Sequence, residues 1–211
     1  MGLIPFLIHN RGEIFQSSLE HIWLVAITML LATAIGVPLG IVVTRRPWLS
    51  KPILGAANVA ETIPSLALFG FLLPVPWLGD RADRLAIAAL TLYALLPIIR
   101  GTSTGITGVD PAVREAARGM GMTDRQILFQ VELPLSYSYL LAGIRVATVL
   151  TIGIATIAAA VGAGGLGEFI FRGLAMVNDQ LILAGAIPAA LLAIGADVLL
   201  GFLERRLRYA R

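Results

Sequence analysis

The 211-residue sequence contains no cysteine, two histidines and a single lysine. Without cysteine the chain has neither a disulfide nor a thiol nucleophile. His9 and His21 are too few and too near one end for a histidine-based metal site, so no metal ligands are predicted. Lys51 is followed by proline and no GxxxxGK[ST] pattern occurs, which excludes ATP hydrolysis by a P-loop. No catalytic Ser, His and Asp set is recognisable. We therefore expect no cofactor and no enzyme activity of the chain's own.

Charge is also scarce, because only 14% of residues are charged and 57% are hydrophobic. This composition is typical of a chain embedded in lipid. The formal net charge is +3 and no basic run occurs, so nucleic acid is not an expected partner. Residues 1–16 lack the basic start, long apolar centre and cleavage site of a signal peptide, and we expect them to be retained.

Five stretches are long and apolar enough to cross a bilayer, which takes about 20 residues because backbone polar groups in lipid must bond within the segment. They are residues 22–43, 53–78, 85–106, 140–161 and 181–203. Pro64, Pro74 and Pro76 predict a kink in the second span, and Pro97 predicts one in the third. The sequence therefore predicts an all-α membrane protein with one domain over residues 1–211.

The distribution of lysine and arginine predicts the orientation, since positively charged loops are retained in the cytoplasm. If the N-terminus lies outside, only Arg11, Arg81, Arg84 and Arg172 remain on the outer side. The cytoplasmic side then holds Arg45, Arg46, Lys51, Arg100, Arg114, Arg118, Arg125, Arg145, Arg205, Arg206, Arg208 and Arg211. We expect an outer N-terminus, a cytoplasmic C-terminus and a cytoplasmic loop over residues 107–139.

This loop is predicted to contain two short helices. Asp110 followed by proline is typical of an N-cap and first helical position. Residues at helical spacing then form one apolar face: Val113, Ala116, Ala117 and Met120.

Gly119 and Gly121 are expected to end the first helix. Thr123 and Gln126 have the spacing of a capping box, so a second helix is predicted to begin there and to end before Pro134. On spacing alone, the favoured interpretation is a solvated surface segment in which Glu115 and Arg118 form a weak i, i+3 pair.

A longer pattern in the same loop resembles the EAA signature of binding-protein-dependent importer permeases. It consists of Glu115-Ala116-Ala117, Gly121, Val131 and Leu133-Pro134, with Val131 where the family usually has isoleucine. The resemblance implies the type I ATP-binding cassette (ABC) importer permease fold, also called MetI-like. It also implies a coupling helix that docks on a cytoplasmic ATPase, an extracytoplasmic substrate-binding protein and a second permease subunit, identical or homologous, in a bacterial inner membrane.

Further segments resemble the osmoprotectant branch of these permeases, which imports glycine betaine, choline or carnitine. They are ETIPSLALFGF from Glu61, LYALLPI from Leu92, Val109-Asp110-Pro111 and IAAAVGAGGLG over residues 157–167. Methionine importers share the five-span plan and a similar glycine run, so a methionine-type permease is the alternative. An ion-coupled secondary transporter with Asp197 as its ion site, or a membrane anchor without transport activity, are further alternatives.

Residues 162–167 match GxGxxG, the dinucleotide-binding pattern. That pattern needs a preceding strand, whereas here it follows a predicted membrane span, so close helix packing or a re-entrant loop is the better interpretation.

Four ionisable residues fall inside the predicted spans: Glu61, Arg100, Arg145 and Asp197. Each lies roughly 9 to 12 Å from the cytoplasmic end of its span at 1.5 Å per residue. One interpretation is that each side chain reaches water independently. The alternative hypothesis is a charge-balanced network that ties helices together, with Arg145 paired to Asp197 and Glu61 paired to Arg100.

Overall fold

The computed structural model of the chain describes residues 2–209, with side chains through residue 206. Arg211 and the side chain of Arg208, which the charge argument placed in the cytoplasm, lie outside this part. The described residues form α1 (Leu3–His9), α2 (Arg11–Arg45), α3 (Pro47–Thr62), α4 (Ser65–Leu72), α5 (Ala82–Thr107), α6 (Pro111–Gly119), α7 (Asp124–Ile127), α8 (Leu133–Ala158), α9 (Gly167–Met176) and α10 (Asp179–Tyr209). No strand occurs within residues 2–209, and the predicted all-α class is confirmed.

Four helical segments are long and apolar enough to cross a membrane. They are α2, α5, most of α10, and one continuous helix, Asp124–Val161, that includes α7 and α8. The bent pair of α3 and α4 makes a fifth if it is counted as one broken span.

The second predicted span, residues 53–78, is interrupted at Pro64, where the sequence predicted a kink. α3 ends at Thr62, α4 begins at Ser65, and their axes are bent by 105°. Pro64 explains the break, because a proline ring disfavours helical geometry at the residue before it, and Ile63 is extended with φ −67° and ψ 129°. After α4 the chain turns over residues 73–81, where Pro74 and Pro76 remove backbone donors.

α5 lies at the centre of the bundle, and its most extensive contacts are with α2 and α8. Its contact with α8 depends on two glycines, Gly101 and Gly143. A Cβ atom added to Gly101 would lie 2.8 Å from the carbonyl oxygen of Tyr139, and one added to Gly143 would lie 2.6 Å from that of Pro97. The two backbones therefore touch, as small residues permit in membrane helix pairs.

The prediction that the second loop helix ends before Pro134 is wrong. α7 continues through a π-helical segment, Leu128–Glu132, directly into α8, where Pro134 occupies the first turn. A proline ring would collide with the carbonyl of Gln130 in a regular α-helix. The wider π turn removes this conflict and lets one helix run from the loop into the membrane.

The glycine-rich segment follows a helix, α8, and not a strand. A short 3-10 turn, Ala159–Val161, leads to Gly162, Gly164 and Gly165, which have φ values of +83°, +79° and +80°. These left-handed conformations favour glycine and reverse the chain into α9.

Candidate functional site

The loop hairpin, defined here as α6, α7 and the bend between them, is fixed by local hydrogen bonds. The carboxylate of Asp110 accepts from the backbone N–H of Ala112 at 2.9 Å. Thr123 and Gln126 form the reciprocal capping box, in which the Thr123 N–H donates to Gln126 Oε1 at 2.8 Å. Gly121 bends the chain with φ +81°. Both predicted caps and the glycine bend are confirmed.

The predicted coupling residues at the start of the signature lie on α6, where they divide between its two sides. Ala117 is fully buried and anchors the helix, whereas Glu115 and Ala116 are exposed. The apolar residues Val113 and Met120 are also exposed, at 41% and 75%. α6 therefore presents an apolar surface flanked by charge to the exterior. A hydrogen bond or ion pair of Glu115, including one with Arg118, is not found within the described part of the chain.

The remaining signature residues lie apart from this surface. Val131 belongs to the π-helical segment, and Leu133 and Pro134 open α8. All three are partly buried, so they shape the junction between hairpin and membrane helix.

Glu132 is the most deeply buried acidic residue described, with 1% of its side chain exposed. Its carboxylate forms an ion pair with Arg45 at the end of α2 and another with Arg114 of α6, whose Nε lies 3.3 Å away. Arg114 also donates to three carbonyls at the end of α5, those of Ile106, Thr107 and Val109, at 2.7 to 3.1 Å. This junction cluster, Arg45, Arg114 and Glu132, joins the hairpin to α2, α5 and α8.

Sequence reasoning missed the junction cluster. A signal was available, because Glu132 stands between the apolar residues Val131 and Leu133 at the entrance to a membrane helix. A carboxylate in that position needs a cationic partner. Its partners are not identifiable from spacing, since Arg45 lies 87 residues away.

Of the four predicted intramembrane charges, the structure pairs Arg145 with Asp197. The Arg145 Nε lies 2.6 Å from Asp197 Oδ1, and a second guanidinium nitrogen lies 2.9 Å from Oδ2. Arg145 also contacts Glu204 at 3.3 Å, a partner that the sequence did not predict. This bidentate arrangement ties α8 to α10.

The expected ion pair between Glu61 and Arg100 is not formed. Arg100 instead donates to Asn58 Oδ1 at 2.8 Å, one turn before Glu61 on α3. Glu61 and Arg100 still line the same cavity, of about 400 Å³, between α3, α5 and α8. The break after Thr62 ends α3 close to Glu61. Sequence periodicity could not predict where Glu61 would lie relative to α5.

Long apolar helices in one bundle, with charged side chains inside it and an exposed helix hairpin at one end, define a multi-pass membrane permease domain. The family described as binding-protein-dependent transport system inner membrane component matches residues 36–209. The chain belongs to this family. It is therefore an inner-membrane transport component and not an enzyme, and membership implies a substrate-binding protein and an ATPase as partners.

Curated relatives match almost the whole chain. The osmoprotectant import permease protein OsmW of Salmonella typhimurium is 43% identical over 206 residues, covering 97% of this chain and 96% of that protein. The carnitine transport permease protein OpuCB of Listeria monocytogenes is 42% identical, covering 98% and 93%. The choline transport system permease protein OpuBB of Bacillus subtilis is 41% identical, covering 97% and 93%. The predicted resemblance to osmoprotectant permeases is confirmed.

Solved structures share the fold. An inward-facing conformation of the MetNI methionine ABC transporter contains a chain with a TM-score of 0.82 and 21% identity, covering 92% of this chain and 95% of that one. An amino acid ABC transporter crystallised with histidines gives a TM-score of 0.79 at 16% identity, covering 98% and 99%. The predicted MetI-like permease fold is confirmed.

Proposed function

We propose that this chain forms the membrane pathway of an ATP-driven importer for small quaternary-ammonium osmoprotectants such as glycine betaine, carnitine or choline. The support is the near-complete match to permeases named for these solutes. Because the sequence has no P-loop, an ATP-driven cycle needs a separate ATPase as partner.

The loop hairpin is the coupling element, and this assignment rests on the exposed surface of α6. Val113, Ala116 and Met120 leave apolar area open on the face of α6 that the buried Ala117 anchors to the rest of the chain. An apolar surface rimmed by charge is typical of a protein interface. Glu115 stands beside it with its carboxylate free to meet a cationic partner.

The N-terminus lies outside and the hairpin lies in the cytoplasm. The concentration of arginine at the hairpin end of the bundle supports this orientation, since Arg45, Arg114, Arg118 and Arg125 all lie there. The opposite end holds Arg172, which is paired with Glu13 at 2.5 Å.

The working pathway forms between two permease subunits, either identical or homologous. One chain supplies only four spans and one broken span, which is too few to enclose a solute. The cavity beside α8 is open on one side, and Val146 and Leu150 on its wall are 51% and 42% exposed. A second subunit would cover this wall.

The test is Glu115→Lys in the complete complex, with Glu168→Lys as the matched control on exposed α9 at the opposite end. Glu115→Lys should abolish solute-dependent ATPase coupling or ATPase association and leave membrane insertion intact, while Glu168→Lys should retain the ATPase. Unchanged uptake by Glu115→Lys would refute the coupling role.

Uptake by the wild type is measured for glycine betaine, carnitine, choline and methionine, and transport of methionine alone would assign the methionine-type function.

A further inference from the structure

The cavity between α3, α5 and α8 carries two charges of opposite sign. Its volume is about 400 Å³, within the range of roughly 300–1,000 Å³ typical of small-molecule sites. Glu61 and Arg100 lie on its wall together with Tyr139. Gly101, Ala142 and Gly143 add little side-chain volume to the lining, which leaves room for a ligand, and the wall is completed by Leu96, Pro97, Thr104, Val146 and Leu150.

Neither of these two charges has an ion-pair partner among the described residues. Arg100 gives one of its five N–H donors to Asn58, and it forms no ion pair with any described carboxylate. Glu61 has no hydrogen bond or ion pair within residues 2–206, and both residues are exposed to the cavity. Charged side chains at membrane depth are costly and mark solute pathways, particularly where they face a water-filled cavity.

We propose that this cavity is a transient binding site for a carboxylate-bearing zwitterion, with Arg100 holding the carboxylate and Glu61 and Tyr139 facing the quaternary ammonium. The inference rests on the proposed import function and narrows its substrate class. A guanidinium binds a carboxylate through paired hydrogen bonds. An aromatic ring attracts a quaternary ammonium group by cation–π contact.

A zwitterion fits this wall better than a simple cation does. Glycine betaine and carnitine carry both charges, so each can compensate Arg100 and Glu61 together. Choline carries only the positive charge and leaves Arg100 without an anion. The site therefore discriminates by the carboxylate, since a desolvated charge left unpaired disfavours the ligand that lacks its partner.

The natural absence of cysteine gives a direct test. Ala142→Cys places one thiol in the cavity, Val146→Cys provides a second reporter on the same wall, and Gly12→Cys places a control thiol where the added Cβ meets nothing within 4 Å. Each variant is reconstituted with its ATPase, binding protein and permease partner. Maleimide labelling of this chain is then measured with increasing glycine betaine, carnitine or choline.

Glycine betaine and carnitine should slow labelling at positions 142 and 146 but not at position 12, and choline should protect at least about tenfold more weakly. Arg100→Gln in the reporter background should raise the half-protecting concentration of glycine betaine about tenfold, the loss expected on removing a charge-assisted hydrogen bond. Choline protection should strengthen, because the unpaired Arg100 charge that disfavours choline is removed. Arg100→Lys should restore part of the effect, and Glu61→Gln should weaken protection by all three solutes.

Equal labelling with and without solute, in complexes that still transport glycine betaine, would overturn the cavity assignment and leave the importer function standing. Equal protection by choline, or no effect of Arg100→Gln, would overturn the role of the carboxylate. A wild-type complex that transports none of the three solutes would refute the proposed function and this inference with it.

Discussion

The Nε atom of Arg114 lies 3.3 Å from Oε1 of Glu132, and this contact fixes α6 against the start of α8. The same carboxylate pairs with Arg45 at the end of α2. Arg114 in turn satisfies carbonyl groups at the end of α5, which a helix terminus otherwise leaves unpaired. The buried Glu132 carboxylate therefore connects the hairpin to α2 and α8, and the Arg114 guanidinium connects it to α5.

We expect Glu132→Gln to lower the free energy of unfolding by about 3 kcal/mol, the order found when one partner of a buried ion pair is removed. The loss arises because two arginines keep their charge and lose their shared anion. Reversible unfolding in mixed detergent measures it. The control is Glu168→Gln on exposed α9, which should change the free energy by less than about 0.5 kcal/mol. Equal stability of the two variants would show that the junction cluster contributes nothing.

Gly101→Ala should destabilise the bundle by about 1–3 kcal/mol, because the new methyl group would lie 2.8 Å from the Tyr139 carbonyl oxygen and force α5 from α8. Gly153→Ala is the matched control on α8, where an added Cβ meets nothing within 4 Å. There the higher helix propensity of alanine should be neutral or stabilising by up to about 1 kcal/mol. Thermal unfolding of the purified variants distinguishes them, and an equal response at both glycines would contradict the close approach.

Arg145→Gln should destabilise more than Asp197→Asn. The first change leaves two acids, Asp197 and Glu204, without their shared cation, whereas the second leaves Arg145 paired with Glu204. A double-mutant cycle over Arg145 and Asp197 should give a small favourable coupling energy, since both side chains are more than one-third exposed and water screens their attraction. A coupling energy of zero would show that the ion pair between Arg145 and Asp197 contributes nothing to stability.

Asp110→Ala should weaken α6 by about 1 kcal/mol through loss of its N-cap. Because the ATPase is proposed to bind this helix, the variant should need more ATPase for half-maximal association. Asp110→Asn is the conservative control, since asparagine caps helices as well as aspartate does. Co-purification of the complex at graded ATPase concentrations measures both variants. Identical behaviour of the two would mean that the cap does not support the interface.

Local rules succeeded where a structure is decided within a few residues. The caps at Asp110 and Thr123 were predictable because each requires only a side-chain acceptor and an N–H two or three residues later. The same kind of rule failed at Pro134, where a π turn satisfies the proline without ending the helix. That outcome depends on how α8 packs against its neighbours, which a local pattern does not contain.

The candidate site was predictable only in part, because packing between helices decides which side chains meet. Arg145 and Asp197 were predicted to pair because they carry opposite charges at the same depth in the membrane, and the structure places them in contact. The same argument paired Glu61 with Arg100, but the Arg100 guanidinium donates to Asn58, one turn earlier on α3. Two residues at one depth on different helices need not face each other, because rotation about each helix axis is set by packing.

The uninterrupted helix Asp124–Val161 extends about 57 Å at 1.5 Å per residue. Gly143, where the α5 backbone contacts this helix, lies near the midpoint of the helix. If the helix pivots about this contact as a rigid body, a sideways displacement of its hairpin end produces an opposite displacement of comparable size at its far tip. The glycine-rich turn that follows Val161 is attached to that far tip and would be carried with it.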